Sequence, residues 1–110
     1  MFSRDSFGEH IRSLRDSKDL PLRKVAAVLD IDPSTLGKIE RGERLANRDF
    51  IPLLAKMFEC NEDELTLIYL SDKVAQELVA EKNSEEILQA AEQKIKYLRA
   101  KNIKQESLKF

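Results

Sequence analysis

Apolar residues recur at helical spacing along most of this chain of 110 residues, and no segment alternates between apolar and polar residues as a half-buried strand would. The chain contains only three glycines and three prolines, which are too few for the many tight turns of a β architecture. We therefore predict an all-α fold, in which a bundle of four to five helices is followed by a helical extension. A chain of this size can bury a core without disulfides or metals.

Residues that favour helix ends divide the first part of the chain into three predicted helices. The first covers about residues 7–17, and Pro21 is suited to the first turn of the second. Asp32 followed by Pro33 is the pattern of an N-cap and a first helical residue, so a third helix begins there. Gly42 is placed to end that helix in the left-handed conformation that other residues resist.

Three further helices are predicted in the later part of the chain. Asn47 can cap a fourth helix, and Asn61 with Glu64 has the spacing of a capping box before a fifth. We expect the fifth helix to continue to about Lys82 and a sixth helix to begin after the sequence KNSE. Residues 101–110 are polar, and we expect them to fray.

The second and third predicted helices are separated only by the sequence DID, an arrangement typical of a helix-turn-helix. Apolar residues of both helices are expected to face inward, so that the third helix exposes its other face. The residues expected on that face are Pro33, Ser34, Thr35, Gly37 and Lys38. Their hydroxyl groups, methyl group and cation can contact base edges in DNA, and the glycine would permit close approach.

The sequence LPLRKVAAVLDIDPSTLGKIERGER resembles the XRE/Cro–C1 family of bacterial and phage DNA-binding regulators. The resemblance covers about residues 7–70, and its most specific parts are I-x-x-L-R in the first helix and KIERGER. It implies a lambda-repressor-like domain whose third helix enters the major groove and reads bases. The base-reading residues that it implies are Pro33, Ser34, Thr35 and Lys38.

The resemblance also implies contacts with the DNA backbone and a structural ion pair. The implied phosphate-binding residues are Arg23, Lys24, Arg41, Arg44 and Arg48. The ion pair would join Arg15 in the first helix to Glu40 at the end of the third. Two positions depart from the family pattern: Leu22 replaces a glutamine that helps to hold phosphate, and Asp30 replaces the glycine of the inter-helix turn. Aspartate tolerates the left-handed conformation better than most residues do.

The later part of the chain contains more apolar residues at helical spacing than the core of a bundle of four or five helices needs. We interpret them as a dimerisation surface formed by Val74, Leu78, Ile87, Ala91, Ile95 and Leu98. A homodimer would read a palindromic operator as two half-sites about 34 Å apart. We therefore predict a DNA-binding domain, residues 1–70, and a helical extension for dimerisation or partner binding, residues 71–110.

Three alternatives to this interpretation remain open. The sixth helix can fold back onto its own domain instead of pairing with a second copy. An antitoxin-like protein would use the C-terminal helices to bind a protein partner while the first domain binds DNA. An adaptor that has lost DNA binding is also compatible with the missing glutamine. A regulator of palindromic operators is the interpretation that we prefer.

Charge and composition restrict the remaining functions. Residues 1–58 hold eleven basic and nine acidic residues, a balance of +2, whereas residues 59–110 hold eight and eleven, a balance of −3. We therefore expect a polyanion to bind residues 1–58 rather than residues 59–110. His10 and Cys60 have no partners at the spacing of metal ligands or catalytic groups, so we predict no enzyme, no metal and no cofactor. The single cysteine and the lack of a long apolar segment predict a cytoplasmic protein without a membrane span.

Overall fold

The computed structural model describes residues 5–107, and the side chains of residues 5–102. Over residues 5–107 the chain forms six α-helices and no strand, which confirms the predicted all-α fold. The helices are α1 (Phe7–Ser17), α2 (Leu22–Leu29), α3 (Pro33–Glu40), α4 (Phe50–Phe58), α5 (Glu62–Leu78) and α6 (Ser84–Ser107). None of these helices is both long enough and apolar enough to cross a membrane.

The contacts between residues divide the chain into two compact units, with the division between Ala75 and Gln76. The first unit contains α1 to α4 and most of α5. The second unit contains the end of α5 and α6. The functional division into residues 1–70 and 71–110 stays a prediction.

Apolar residues from all five helices of the first unit form its core. α2 packs against α3 and α4, and α1 packs against α3. The buried side chains of this cluster are Phe7, Ile11, Val25, Ala26, Leu29, Leu36, Ile51, Leu54, Ala55, Phe58, Leu65 and Tyr69. Burial of one leucine or isoleucine side chain contributes about 1.5–3 kcal/mol to folding, so this cluster is the main source of the stability of the unit.

Helix ends near the inter-helix turn lie where the sequence predicts them. Asp32 is the N-cap of α3 and Pro33 is its first residue, although the Asp32 side chain makes no capping hydrogen bond. Asp30, at the C-terminal end of α2, has a φ of 57° and is therefore left-handed. The expectation that aspartate takes the conformation of the usual glycine is confirmed.

The end of α3 is a Schellman motif. The N–H of Gly42 donates to the carbonyl of Ile39 at 3.0 Å, and the N–H of Glu43 donates to the carbonyl of Lys38 at 2.8 Å. Gly42 has a φ of 76°, a conformation that a Cβ atom disfavours. The glycine therefore ends α3 as predicted and turns Glu43 back towards the last turn of the helix.

The other helix starts are only partly as predicted. Pro21 is the N-cap of α2 and precedes its first turn. The N-cap of α4 is Asp49, whereas Asn47 accepts a hydrogen bond from the Asp49 N–H at 2.9 Å in a turn before the helix. The Asn61 side chain accepts from the N–H of Glu64 at 3.1 Å, which is one half of the predicted capping box.

Two predicted ends in the last third of the chain are wrong. α5 ends at Leu78 and does not reach Lys82. α6 includes residues 101–107, which were expected to fray. Four of these seven residues are lysine, glutamine or glutamate, which are good helix formers, so local propensity favours continuation of the helix. Residues 108–110 lie outside the described residues.

α5 is attached to the rest of the first unit through Tyr69 and Asp72. The ring of Tyr69 contacts that of Phe7 edge to face, with 5.3 Å between the centroids, and its hydroxyl donates to the carbonyl of Ala46 at 2.8 Å. The carboxylate of Asp72 accepts a hydrogen bond from the backbone N–H of Phe7. A negative charge is favourable there because Phe7 begins α1.

Candidate nucleic-acid interface

The pair α2 and α3 forms a helix-turn-helix joined by residues 30–32. The left-handed Asp30 redirects the chain between the two helices. Val25 and Ala26 on α2 and Leu36 on α3 are at most 1 % exposed, so the inner faces of the two helices are packed without a gap for water. Because Ala26 is small, the two helices can cross closely.

The outer face of α3 exposes three of the four predicted base-reading residues. Pro33, Ser34 and Lys38 are exposed, and Thr35 is half-buried. They belong to the N-terminal and central turns of α3, which is where recognition helices contact bases. The first unit itself leaves this face open to a ligand.

Gly37 is not exposed on the outer face of α3, so the prediction that it lies open on that face is wrong, while close approach to DNA at this position stays a prediction. The residue is buried. A Cβ atom added to Gly37 would lie 3.2 Å from Nη1 of Arg41, so the guanidinium group of Arg41 extends over this glycine. Sequence reasoning missed this contact because nothing local specifies the direction of a long side chain beyond a helix end.

A close contact with α1 holds the C-terminal end of α3. Gly8 is buried, and a Cβ atom at this position would lie 2.1 Å from the carbonyl oxygen of Ile39 and 2.9 Å from that of Glu40. The positive end of the α1 dipole thus meets the last carbonyls of α3, which is a favourable arrangement. Sequence reasoning missed Gly8, and its signal was a glycine placed inside a helix, where it weakens helix formation.

An ion pair between α1 and α3 holds the same end of α3. Arg15 donates from Nε to Oε2 of Glu40 at 2.8 Å and from Nη2 to Oε1 at 2.9 Å. Its Nη1 donates to the carbonyl of Leu20 at 3.0 Å. The side chains of Arg15 and Glu40 are 13 % and 5 % exposed. The hydrogen bonds that Arg15 donates to Glu40 raise the pKa of the Arg15 guanidinium above its ordinary value, which favours its charged form.

Exposed cations flank α3 on both sides. Arg23 and Lys24 lie in the first turn of α2, and Arg44 and Arg48 lie in the loop that follows α3. These four side chains are exposed and can bind phosphate groups. Arg41 differs from them because its Nε donates to Oε2 of Glu43 at 2.7 Å.

Carboxylates limit the cationic surface at the inter-helix turn. Asp30 and Asp32 are exposed and line an open cleft of about 490 Å³, which Thr35 and Arg44 also line. The two carboxylates repel phosphate groups, so the floor of the cleft at Asp30 and Asp32 is less favourable for the DNA backbone than the cation of Arg44 at its edge. The surface that can meet a polyanion therefore consists of the outer face of α3, the loop after it and the first turn of α2.

The first unit also exposes an apolar stripe on α5. Leu67, Leu70 and Val74 are 47 %, 38 % and 45 % exposed, and their spacing places them on one side of the helix. The buried Leu65 and Tyr69 lie on the other side. Of the exposed stripe, sequence reasoning named only Val74, because the segment LTLIYL is apolar on both faces and periodicity alone does not separate them.

Most of the other residues predicted for dimerisation lie along one face of α6 in the second unit. Ile87, Ile95 and Leu98 are exposed, and Ala91 is half-buried. Leu78, in the last turn of α5, is half-buried. The spacing of four, four and three residues along α6 gives a narrow apolar stripe between charged residues, a pattern typical of helices that pair.

Groups with reactive or metal-binding chemistry are few in this structure. Over residues 5–107, no cluster of three histidine, cysteine, aspartate or glutamate side chains could hold a metal ion. Cys60 is half-buried, and this burial, together with the charge of Glu64, raises the pKa of its thiol. The thiol is therefore less nucleophilic at neutral pH than a free cysteine.

Comparison with known proteins gives one positive finding. A family model described as helix-turn-helix matches residues 11–65, which is half of the chain and contains α2 and α3 in full. Neither curated proteins nor solved structures gave a significant match. The matched segment, the packed helix pair and the exposed face of α3 lead to the same conclusion: the chain belongs to the XRE/Cro–C1-type helix-turn-helix family of DNA-binding regulators.

Proposed function

We propose that this protein is a transcriptional regulator that binds a palindromic operator as a homodimer, with α3 in the major groove of each half-site. The observation that carries the proposal is the outer face of α3, where Ser34 and Lys38 are exposed on a helix whose inner face is locked into the core. A rigid helix with an open polar face is what direct reading of base edges requires. Pro33 and Thr35 complete the proposed reading face.

Contacts with the DNA backbone would fix the position of α3. Arg23 and Lys24 lie at the start of α2, and Arg44 and Arg48 lie in the loop after α3, so cations are available on both sides of the reading helix. Phosphate contacts carry little sequence information, but they supply much of the affinity and make it depend on salt. Arg23 and Lys24 would take over the phosphate contact that the family's usual glutamine makes at the position of Leu22.

The homodimer follows from the small number of bases that one recognition helix can read. Two helices on one face of the duplex read two half-sites about one turn of DNA apart, roughly 34 Å. The exposed stripe of Ile87, Ile95 and Leu98 on α6 is the surface that we propose for pairing, and Val74 on α5 of the first unit is a separate apolar residue that we expect to take part. Ala91 and Leu78 would complete this surface.

In vitro selection from a random DNA pool tests the proposal as a whole. We expect the full chain to enrich a sequence with two inverted half-sites, and we expect its affinity to fall steeply with salt. The spacing of the half-sites would report the geometry of the dimer. An absence of any salt-sensitive DNA binding would contradict the proposal and support the adaptor.

Replacement of Lys38 tests the reading face. We expect Lys38→Ala to lower the discrimination at one base pair of each half-site about ten-fold, because a lost base contact costs about 1–3 kcal/mol. The measurement is a gel-shift titration against the operator and its single-base variants. Lys56→Ala is the matched control, since Lys56 is an exposed lysine of α4 outside the helix-turn-helix. An equal loss on every sequence would make Lys38 a phosphate contact instead.

A charge placed on the α6 stripe tests the dimer. We expect Ile95→Glu to raise the dissociation constant of the dimer at least ten-fold, because two carboxylates would then be desolvated at the interface. Gln93→Glu is the matched control, since residue 93 is exposed on the opposite side of α6. Sedimentation equilibrium measures both variants. A dimer of unchanged affinity in Ile95→Glu would exclude this stripe from the interface.

An antitoxin-like function is the second candidate. The exposed apolar stripe on α6 favours this function too, because the stripe can pair with a helix of another protein as well as with a second copy of the chain. Sedimentation of the full chain distinguishes the two candidates. A monomer at concentrations far above those that saturate DNA would favour the protein partner.

A further inference from the structure

We propose that Arg41 reads a guanine base in the major groove and that Glu43 holds its guanidinium group in the reading position. This inference rests on the proposed function, because it assigns a new specificity-determining residue to the same DNA site. The resemblance to the family implies that Arg41 binds phosphate. The position and the partner of its side chain favour contact with a base.

The position of Arg41 places it on the reading face of α3. Arg41 is the C-cap residue, with a φ of −86° and a ψ of 0°, so it continues the helical path for one residue beyond Glu40. It follows Gly37 by four residues and Lys38 by three, and residues at these spacings share one side of a helix. Its side chain is 58 % exposed.

The side chain of Arg41 extends back along α3. Its Nη1 lies 3.2 Å from the place of a Cβ atom on Gly37, which is one turn earlier in the helix. Long helical side chains generally point towards the N-terminal end of their helix, and the missing side chain at Gly37 leaves room for the guanidinium to do so. The cation therefore lies next to Gly37 on α3 and not out in the loop.

Glu43 fixes the orientation of this cation. The Nε of Arg41 donates to Oε2 of Glu43 at 2.7 Å. The Schellman motif at Gly42 turns Glu43 back towards the end of α3, and the bond from the Glu43 N–H to the Lys38 carbonyl holds it there. The carboxylate is thus provided by a rigid turn rather than by a free loop.

The remaining donors of Arg41 match guanine. With Nε occupied, Nη1 and Nη2 each keep an N–H at the outer end of the planar group. Two parallel donors in this arrangement fit the O6 and N7 acceptors that guanine presents in the major groove. The carboxylate of Glu43 would repel a phosphate group next to Arg41, but it does not oppose a neutral base edge. Arg44 has no such partner in the described ion pairs and is the better phosphate ligand.

The test uses the full chain and the operator obtained by in vitro selection. Binding is measured for that operator and for variants in which each base pair is changed in turn. We expect a G·C pair at one position per half-site, and we expect Arg41→Ala to reduce the preference for it at least ten-fold. Arg44→Ala is the matched control, for which we expect an equal loss on all sequences and a shallower dependence on salt.

Two further variants test how the guanidinium is held. We expect Glu43→Gln to weaken the preference at the same G·C position and at no other, with thermal unfolding unchanged. Gly37→Ala places a methyl group against Nη1, and we expect the same selective loss from it. A merely structural role of Glu43 or Gly37 would lower the affinity for every sequence alike.

The outcomes separate the inference from the function on which it rests. An equal loss on all sequences in Arg41→Ala, as in Arg44→Ala, would overturn the inference while leaving the regulator intact. A preference at the G·C position that survives in Glu43→Gln would overturn the role of Glu43. A failure of the proposed function would appear earlier, as an unmutated protein that selects no DNA sequence.

Discussion

Gly8→Ala is expected to destabilise the first unit by about 3 kcal/mol, the effect of severe overpacking in a core. The added methyl group would lie 2.1 Å from the carbonyl oxygen of Ile39, and this oxygen belongs to the backbone of a helix and cannot rotate away. α1 and α3 would have to separate by about 1 Å to restore normal contact. In thermal unfolding followed by circular dichroism, we expect a fall of the midpoint on the order of 15 °C.

The matched control for this variant is Gly37→Ala. Gly37 is also a buried glycine inside a helix, but its added methyl group would meet only the end of the Arg41 side chain, at 3.2 Å. A flexible side chain can move, and alanine favours a helix over glycine by about 1 kcal/mol. We therefore expect Gly37→Ala to be as stable as the unmutated protein or more stable. Equal stability of both variants would show that the close approach of α1 to α3 is absent.

Glu40→Ala is expected to cost about 3–5 kcal/mol, the usual loss when one partner of a buried ion pair is removed. The side chain of Arg15 is only 13 % exposed in the unmutated protein, and the variant removes the carboxylate that accepts its Nε and Nη2 protons. It also releases the C-terminal end of α3 from α1. We expect the midpoint of urea unfolding to fall sharply, and we expect operator affinity to fall at temperatures where the variant is still folded.

Two controls define the origin of this loss. Arg12→Ala removes an exposed pair with Asp16 on the same helix, where the closest atoms are 3.9 Å apart, and we expect less than about 1 kcal/mol from it. In the double variant Arg15→Met with Glu40→Leu, no charge is left buried, and we expect stability within about 1 kcal/mol of the unmutated protein. A small loss in Glu40→Ala alone would mean that Arg15 finds water or another acceptor.

The sequence predicts a helix boundary well when the residues that set it interact with near neighbours in the chain. Pro33 after Asp32 and Gly42 after Arg41 act over about five residues at most, and both ends of α3 lie where these signals predict. Asn47 misled the prediction because a short turn precedes α4, and the asparagine side chain binds the N–H of Asp49 in that turn. The sequence identifies Asn47 as a capping residue, but whether it caps a helix or a turn depends on how the loop packs.

In the candidate nucleic-acid interface, too, some residues have the exposure that helical period predicts and others do not. The exposure of Ser34 and Lys38 follows from the period of α3, since Leu36 and Ile39 define its buried side. Gly37 lies on the open side by the same period, yet it is buried because a side chain from beyond the helix end covers it. Contacts of this kind depend on side-chain directions that periodicity does not describe.

The amino-acid sequence alone determined that the chain is helical, where the helix-turn-helix lies and which side of α3 faces outward. These properties depend on propensities, caps and apolar spacing, which act between residues a few positions apart. Only the tertiary structure decided that Gly8 must lack a side chain, that Arg41 extends over Gly37 and that Leu67 and Leu70 face away from the core. The reason is physical: each of these facts depends on how closely and at what angle whole helices and long side chains meet, which emerges only when the core is packed.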